Sequence, residues 1–214
     1  MKGLFITFEG GEGTGKSTQI KLLEEYLKEK GEDVVTSKEP GGTEVGLEIR
    51  KLLVCGDKDK FDATAEALLY FADRHIHLTK KIWPAMEKGA IVLSDRFADS
   101  TMAYQYYGYN KRVSKETLNT LYDIAVGQFK PDLTIILDID PEKGLARSFA
   151  KAKNMDVKEL RFEGRDLEFH HNLRNGFLEI AKAEPERCVV LNADKTIEDL
   201  HTDIIKVVEE KLGL

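Results

Sequence analysis

Residues 9 to 17 read EGGEGTGKS, and this stretch decides how the rest of the chain is interpreted. Its glycines, Lys16 and Ser17 fit G-x-x-x-x-G-K-[ST], the pattern of a phosphate-binding loop. A β-branched and aromatic run at 4–8 precedes the loop, and apolar residues at helical spacing follow it. Strand, glycine turn and helix N-terminus let backbone N–H groups converge on phosphate oxygens. We therefore expect Lys16 to contact the β- and γ-phosphates of a nucleotide, and the Ser17 hydroxyl to ligate Mg²⁺.

The composition is that of a globular protein. The 214 residues are 42% hydrophobic and 33% charged, which suits a single domain spanning 1–214. A formal net charge of -6 argues against nucleic acid and membrane surfaces as partners. No apolar run reaches the roughly 20 residues of a membrane span, and because the first predicted strand begins early we expect no signal peptide. Cys55 and Cys188 match no metal or redox spacing, so we expect reduced thiols and a cytoplasmic location.

Short apolar runs alternate with amphipathic segments along the whole chain. Five of the runs are expected to be strands, at 4–8, 33–37, 90–95, 133–138 and 188–191. The segments between and after them predict helices at 16–30, 43–54, 62–83, 99–106, 114–126, 167–181 and 196–212, with another beginning at Pro141. This alternation predicts an α/β fold of the three-layer P-loop NTPase type, with helices on both faces of a five-stranded parallel sheet.

Three segments carry more specific expectations. The long helix should be capped by Asp62 and interrupted at Pro84. Residues 150–163 are highly charged and aperiodic, so we expect a mobile lid there. The helix at 43–54 should turn one apolar side to the core, formed by Val45, Ile49, Leu52 and Leu53.

Charged residues follow three of the predicted strands. Glu39-Pro40 follows the second strand, Asp95-Arg96 ends the third, and Asp138 ends the fourth. Ligands in parallel α/β sheets bind beyond the carboxyl ends of the strands, so one site could collect all of them. Asp95 then suits a magnesium-supporting acid, and Arg96 would stabilise charge on a migrating phosphoryl group. A surface ion pair is the alternative interpretation of Arg96.

Seven segments, taken in order, resemble the thymidylate kinase family. They are EGGEGTGKSTQ (9–19), EPGG (39–42) with the helix that ends near Arg50, LLYFADR (68–74), DRFADSTMAYQ (95–105), LDIDPEKGLAR (137–147), RFEGRDLEFH (161–170) and LNADKTIEDL (191–200). The similarity covers essentially the whole chain. It implies an enzyme of dTTP biosynthesis that transfers the γ-phosphoryl group of Mg-ATP to dTMP, giving dTDP and ADP. It also implies a homodimer.

The resemblance assigns the donor nucleotide to the phosphate loop and the last predicted strand. Lys16 and the loop backbone would hold the phosphates of ATP, and Arg147 with the segment 192–195 would flank adenine. Mg²⁺ would be held by Ser17 and Asp95. The residues expected at ATP are Gly10, Gly11, Gly13, Thr14, Gly15, Lys16, Ser17, Thr18, Arg147, Asn192, Ala193, Asp194 and Lys195.

The resemblance places the acceptor phosphate among charged residues. Glu12 would lie near the 3′-hydroxyl and the phosphate of dTMP, and Arg50 and Arg96 would grip that phosphate. The residues expected at dTMP are Glu12, Glu39, Pro40, Arg50, Tyr70, Arg74, Arg96, Ser100, Thr101, Tyr104 and Gln105.

Aromatic and polar residues would hold the rest of the acceptor. By the resemblance, Tyr70 stacks on thymine, Arg74 and Thr101 read the edge of the base, and Tyr104 lies under the sugar and disfavours a 2′-hydroxyl. Tyr70 and Arg74 are one helical turn apart, so they share a helix face. Without the resemblance, Tyr70 and Tyr104 would be interpreted as ordinary core residues.

Members of this family place a catalytic arginine either in the phosphate loop or in the lid. Gly13 occupies the loop position here, so the chain resembles the lid-arginine branch, which is commonly bacterial. Arg161 matches the lid arginine best, and the other lid cations are Lys151, Lys153, Lys158 and Arg165. The expected catalytic residues are Glu12, Lys16, Arg96 and Arg161. Phe97 stands where the family usually has tyrosine.

Other functions also fit a phosphate loop. A kinase for another nucleotide or nucleoside acceptor is one, because the loop does not define the acceptor. A nucleotide-dependent switch protein is another, but a GTPase should carry Asn-Lys-x-Asp, and the nearest string, NKRV at 110–113, lacks the aspartate. A nucleic-acid-binding module is poorly supported, because the chain is acidic and has no basic stripe.

Overall fold

The computed structural model describes residues 3–57, 59–153 and 161–213 of the chain. Its strands are β1 (Phe5–Glu9), β2 (Val34–Lys38), β3 (Ile91–Asp95), β4 (Leu133–Asp138) and β5 (Cys188–Asn192), each within one residue of the expected bounds. They form one sheet in the order β2-β3-β1-β4-β5, and every pairing is parallel. The prediction of a five-stranded parallel sheet is confirmed.

Helices connect successive strands throughout the described residues. Two π-helical segments, Leu78–Ile82 and Met102–Gly108, directly continue the α-helices that end at His77 and Thr101. Within the described ranges, no helix is both long and apolar enough to span a membrane. The α-helices are α1 (Lys16–Glu29), α2 (Glu44–Val54), α3 (Ala63–His77), α4 (Trp83–Glu87), α5 (Ala98–Thr101), α6 (Lys115–Ala125), α7 (Pro141–Ala152), α8 (Leu167–Ala183) and α9 (Ile197–Leu212).

Side chains cap several helices at the residue before the first turn. Asp62 accepts a hydrogen bond of 2.7 Å from a backbone N–H of α3, which confirms it as the cap of that helix. Asp140 accepts from the first turn of α7, where Pro141 opens the helix. Pro84, which was expected to kink or restart the long helix, lies in the first turn of α4, where α-helical geometry resumes after the π-helical segment.

Alternate residues of the strands face opposite sides of the sheet and build two cores. Phe5 and Ile136 face the layer that contains α3, α8 and the second π-helical segment. Ile6 and Phe8 face the layer that contains α1 and α9. All four side chains are at most 1% exposed. These two helical layers around one sheet are the three-layer arrangement that the sequence predicts.

The apolar side predicted for α2 is only partly correct. Leu53 is fully buried and Ile49 half-buried, but Val45 and Leu52 are 51% and 43% exposed. The expectation that these two residues face the core is therefore wrong. Another side of α2 packs on α3, and it does so closely: a Cβ at Gly46 would lie 2.4 Å from a carboxylate oxygen of α3.

The segment expected to be a lid falls into three parts. Residues 150–152 form the end of α7, and 154–160, which include Lys158, lie outside the described residues. Arg161 and Phe162 are buried, at 3% and 6% exposure. The C-terminal end of the segment therefore belongs to the packed body of the protein, and the mobility of the remainder stays a prediction.

Candidate active site

Three adjacent strands bring charged residues to one edge of the sheet. Glu39 follows β2, Asp95 ends β3, and the phosphate loop follows β1. Phe8 pairs with Asp95, and the next backbone N–H, that of Arg96, donates to the Phe8 carbonyl at 2.9 Å. Arg96 consequently leaves the sheet beside the loop. Asp138 lies one strand further on, where its carboxylate pairs with Arg174 at 2.7 Å.

The phosphate loop is closely packed against α7. Gly13 has a φ of +67°, and a Cβ there would lie 1.9 Å from the Gly144 carbonyl oxygen, so no side chain fits. Lys16 is 8% exposed, and its ammonium donates to the carbonyls of Gly10 at 3.1 Å and Gly11 at 2.8 Å. The lysine is thus held inside the loop in which nucleotide phosphates are expected.

Lys16 should take up a proton when ATP binds. Burial, assisted by the charge of Arg96, lowers the pKa of Lys16 to about 8, and the phosphates of ATP would favour the ammonium form. Below this pKa the lysine is already protonated, so we expect uptake of a fractional proton, and falling ATP affinity, as the pH rises above about 8. Titration calorimetry in two buffers of different ionisation enthalpy measures this uptake. The Lys16→Met variant is the control, and equal uptake in both proteins would contradict the assignment.

Ser17 and Asp95 form a pair of oxygen ligands at the start of α1. The Ser17 hydroxyl donates to Oδ2 of Asp95 at 2.8 Å. Hydroxyl and carboxylate oxygens are the ligands that Mg²⁺ prefers, and it commonly takes only one or two of them from the protein. The donor set therefore fits the expected metal.

Arg96 is the centre of the hydrogen-bonded cluster beside the loop. Its φ of +75° lies in the left-handed region, which is uncommon outside glycine and often occurs at functional sites. The guanidinium donates to the Gly10 carbonyl, Ser100 Oγ and the Tyr104 hydroxyl, each at 2.9 Å, and to Glu12 at 3.2 Å. These contacts fix a positive charge at the mouth of the phosphate loop.

Glu12 and Tyr104 are held in opposite protonation states by this cluster. Burial alone would raise the pKa of Glu12, but the charges of Arg96 and Lys16 bring it below its usual value. Burial raises the pKa of Tyr104 well above its usual value, and its neutral hydroxyl donates to the Glu12 carboxylate. Glu12 is therefore an ionised acceptor at the centre of the site.

Two cavities meet at Arg96. The first, the acceptor cavity, has about 710 Å³ and is lined by all eleven residues expected at dTMP, together with Val54, Phe97, Phe162 and Glu163. The second, the phosphate cavity, has about 1270 Å³ and is lined by residues 13–18 of the loop, Arg147 and Lys151. Both cavities share the walls formed by Glu12, Glu39, Arg50, Arg96 and Glu163.

Arg74 is held rigidly in the wall of the acceptor cavity. It is 1% exposed, its Nε donates to Glu39 at 2.9 Å, and its Nη2 donates to Thr101 at 3.0 Å. Its guanidinium lies over the rings of Phe71 and Phe97, 4.8 and 5.1 Å from their centroids. A buried, doubly anchored arginine of this kind presents its remaining N–H groups in a fixed direction.

The end of β5 lies beside Arg147. Arg147 donates to the Ala193 carbonyl at 3.0 Å and lies 3.4 Å from the Asp194 carboxylate. Asn192 closes the turn by accepting from the Asp194 backbone N–H at 2.9 Å. Residues 192–195 therefore flank the arginine that borders the phosphate cavity, although they do not line that cavity themselves.

Comparisons with known proteins identify the family of the chain. The family model described as thymidylate kinase matches residues 8–204. The chain belongs to the thymidylate kinase family. It is 47% identical over 213 residues to the thymidylate kinase of Maridesulfovibrio salexigens, which covers 98% of this chain and 97% of the relative. It is 45% identical to the thymidylate kinase of Caulobacter vibrioides, covering 100% of this chain and 99% of the relative.

A solved structure of the same family has the same fold. The crystal structure of thymidylate kinase from Ehrlichia chaffeensis superposes with a TM-score of 0.78 at 35% sequence identity. The match covers 97% of this chain and 100% of that one. As a member of the thymidylate kinase family, the protein is a kinase, and the P-loop fold expected from the sequence is confirmed.

Arg161 does not lie at the phosphate loop of this thymidylate kinase family member. Its guanidinium donates to the carbonyls of Leu53 at 2.9 Å and Asp57 at 3.0 Å, and to the buried carboxylate of Glu66. It lines neither of the two cavities. The structure therefore does not bring Arg161 together with Lys16 and Arg96. Among the expected lid cations that the structure describes, the one that lines the phosphate cavity is Lys151.

Two carboxylates of the site were missed by reasoning from the sequence. Glu9 is 0% exposed and accepts from the Phe97 backbone N–H at 2.7 Å and from Ser100, so it holds the turn that carries Arg96. Burial, aided by the charge of Asp99, raises its pKa to about 8. Glu163 lines both cavities, and burial with the nearby Glu12 raises its pKa to about 7. Neither has a distinctive spacing that could have identified it.

Proposed function

We propose that this enzyme transfers the γ-phosphoryl group of ATP to dTMP, giving dTDP and ADP. The observation that carries the proposal is the pair of cavities that share the walls around Glu12, Arg50 and Arg96. A ligand in each cavity would meet the other with phosphate facing phosphate at this shared wall. Holding donor and acceptor in such an arrangement removes much of the entropic cost of bringing them together.

Lys16, Arg50 and Arg96 would carry the charge of the reacting phosphates. Phosphoryl transfer depends mainly on positioning and on stabilisation of negative charge. Arg96 lies at the boundary of the cavities and would bond the acceptor phosphate as charge develops on it. Arg50 donates to the Pro40 carbonyl at 2.8 Å and lines both cavities, which places it beside the same phosphate.

The base and sugar of dTMP would occupy the remainder of the acceptor cavity. Tyr70 would stack on thymine, while Arg74 and Thr101 would bond its edge. The Tyr104 hydroxyl is already bonded to Arg96 and Glu12, so it offers no unused partner to a ribose 2′-hydroxyl. A hydroxyl buried without a partner is costly, and this would disfavour ribonucleotides.

We propose Mg²⁺ as the cofactor, held by Ser17 and Asp95. Their oxygens are hard ligands and lie at the phosphate cavity, where ATP oxygens would complete the coordination. Bound there, the ion would neutralise charge on the β- and γ-phosphates.

The alternative functions are not favoured by the family membership or by the site. A switch protein has no need of a second cavity of about 710 Å³ beside its phosphate loop. A kinase for another acceptor is the alternative that is harder to distinguish from the proposal. Rates with different acceptors distinguish the two.

An acceptor panel tests the proposed activity. With Mg-ATP in excess, ADP release should be fast with dTMP and slower by on the order of 10² or more with dCMP, dGMP, AMP or thymidine. A coupled ADP-release assay reports each rate. Equal rates across the panel would refute dTMP as the substrate.

We further propose a cytoplasmic homodimer. Exposed apolar side chains lie on α2, α3 and α6, and α3 packs against both of the other helices. Such a cluster on a single chain is typical of a protein interface. Both cysteines are free, which suits a reducing compartment. The exposed apolar residues on these helices are Val45 (51%), Leu47 (45%), Leu52 (43%), Leu68 (53%) and Ile124 (75%).

The Leu68→Glu substitution should convert the dimer to monomer. A carboxylate at the centre of an apolar interface would be buried without a partner, which is costly. Sedimentation velocity measures the change in mass. Ile197→Glu is the matched control, because Ile197 is also 53% exposed but lies on α9. A dimer that survives Leu68→Glu would place the interface elsewhere.

A further inference from the structure

Two polar atoms in the wall of the acceptor cavity are buried without a hydrogen-bond partner. They are Nη1 of Arg74, which is a donor, and Oε1 of Gln105, which is an acceptor. Among the described residues, nothing is placed to satisfy either atom. Buried polar atoms nearly always have partners, so an unpaired donor and an unpaired acceptor in one cavity indicate a ligand that supplies the opposite groups.

The orientation of the Gln105 amide is decided by Glu66. Glu66 is 0% exposed, and its Oε2 lies 2.9 Å from Nε2 of Gln105. A carboxylate can only accept, so the Gln105 atom that faces it must be the NH₂ group. The oxygen of the amide is thereby left without a partner, on a residue that lines the acceptor cavity.

The other oxygen of Glu66 also accepts hydrogen bonds, from two donors. Arg161 donates to Oε1, and so does the Tyr109 hydroxyl at 2.9 Å. The Tyr109 hydroxyl accepts from Arg165 at 2.8 Å, which leaves its proton for Glu66. A chain of hydrogen bonds therefore runs from the segment after residue 160 to the wall of the acceptor cavity. Each bond in the chain fixes which group donates and which accepts in the next.

We infer that Glu66 is a positioning residue that selects thymine over cytosine by forcing Gln105 to present its oxygen. This inference rests on the proposed function. Thymine offers an N3–H donor and an O4 acceptor on one edge, which complement Gln105 Oε1 and Arg74 Nη1. Cytosine offers an unprotonated N3 and an N4 amino group on the same edge. Arg74 Nη1 would then face the N4 amino group, donor against donor, and Gln105 Oε1 would face N3, acceptor against acceptor. These two contacts leave four buried polar groups unsatisfied.

Glu66→Gln should weaken this selection. Arg161 is a donor only, so the oxygen of the new amide at position 66 would stay on the arginine side, and its NH₂ group would face Gln105. Gln105 would then turn its oxygen towards that NH₂ group and its own NH₂ group into the cavity. That arrangement favours the N3 of cytosine and opposes the N3–H of thymine.

The probe pair is dTMP and 5-methyl-dCMP, which share shape and methyl group and differ only in the polarity of the edge. In the wild type, kcat/KM should favour dTMP on the order of 10³-fold. In Glu66→Gln this ratio should fall by about tenfold or more. The fall should come from changes in KM, and the dissociation constants of the two nucleotides should change with it. Tyr109→Phe is the matched control, because it also removes a bond to Glu66 but leaves Gln105 untouched. Its ratio should remain that of the wild type.

The exchange Glu66→Gln with Gln105→Glu keeps the same charge and should restore the preference for dTMP. The amide at position 66 would again face Arg161 with its oxygen, and the carboxylate at position 105 presents only acceptors to the cavity. A ratio that does not change in Glu66→Gln, or that stays low in the exchange variant, would overturn the inference. If Glu66→Gln does not fold, the exchange variant must still fold and prefer dTMP. A wild type that accepts dTMP and 5-methyl-dCMP equally would also overturn the inference, whereas a wild type that phosphorylates neither nucleotide would refute the proposed function.

Discussion

Replacing Arg96 with alanine is expected to lower kcat by about 10³-fold, with little loss of fold stability. Arg96 is the cation at the boundary of both cavities, and its guanidinium is held by the Gly10 carbonyl and Ser100 at 2.9 Å each. A charge fixed before the reaction stabilises the transition state without reorganisation at the moment of transfer. The loss should therefore appear in kcat, with a smaller change in the KM for dTMP. Coupled ADP release and single-turnover phosphoryl transfer measure the two effects.

Two controls make this result specific. Arg112→Ala removes an exposed arginine in the turn before α6 and should leave kcat unchanged. Arg96→Lys keeps the charge but not the geometry of the guanidinium, and should recover only part of the rate, because one ammonium cannot make the same set of contacts. Near-normal turnover in Arg96→Ala would mean that the site of phosphoryl transfer lies elsewhere.

The sheet could be predicted from the sequence because it depends on local patterns, whereas the residues of the acceptor cavity were expected from the resemblance to the family. Apolar runs of strand length and a glycine-rich loop identify β1 and its turn, and parallel strands bring their carboxyl ends to one edge. The eleven residues expected at dTMP line one cavity because they lie on segments that follow those strand ends or on the helices that cover them. The observed bounds of the strands lie within one residue of the predicted bounds because the strands coincide with local apolar runs.

What could not be predicted depends on contacts between distant segments. The exposure of Val45 and Leu52 is decided by which side of α2 packs on α3, and an apolar stripe looks the same whether it faces a core or another chain. The role of Glu9 depends on the turn after β3, 88 residues further along the chain. No local spacing reports such a contact.

Arg161 is the clearest case of this kind. A charged segment before Phe162 suggested a lid cation, whereas the folded chain buries the arginine against Glu66. Both side chains of this pair are 0% exposed. A buried ion pair arises only when two distant segments pack together, so the sequence around Arg161 carries no sign of its partner 95 residues away.

Replacing Arg161 with alanine is consequently expected to destabilise the protein strongly. It would leave the Glu66 carboxylate buried without its charge partner, and breaking a buried pair in this way costs about 3–5 kcal/mol. For a domain of this size, that corresponds to a fall in the melting temperature of about 6–20 °C. Differential scanning calorimetry measures the shift. At a temperature where the variant is still folded, kcat should fall by less than about tenfold, since Arg161 lines neither cavity.

Lys151→Ala should show the opposite behaviour and serves as the comparison. Lys151 is exposed at the end of α7 and lines the phosphate cavity, so its removal should change kcat or the KM for ATP and leave the melting temperature within about 1–2 °C of the wild type. The two variants separate a cation that acts on nucleotide phosphates from one that holds the fold together. If Arg161→Ala instead melted normally and lost about 10³-fold in kcat, Arg161 would be the catalytic lid arginine, and its burial against Glu66 would be a resting state that is left during turnover.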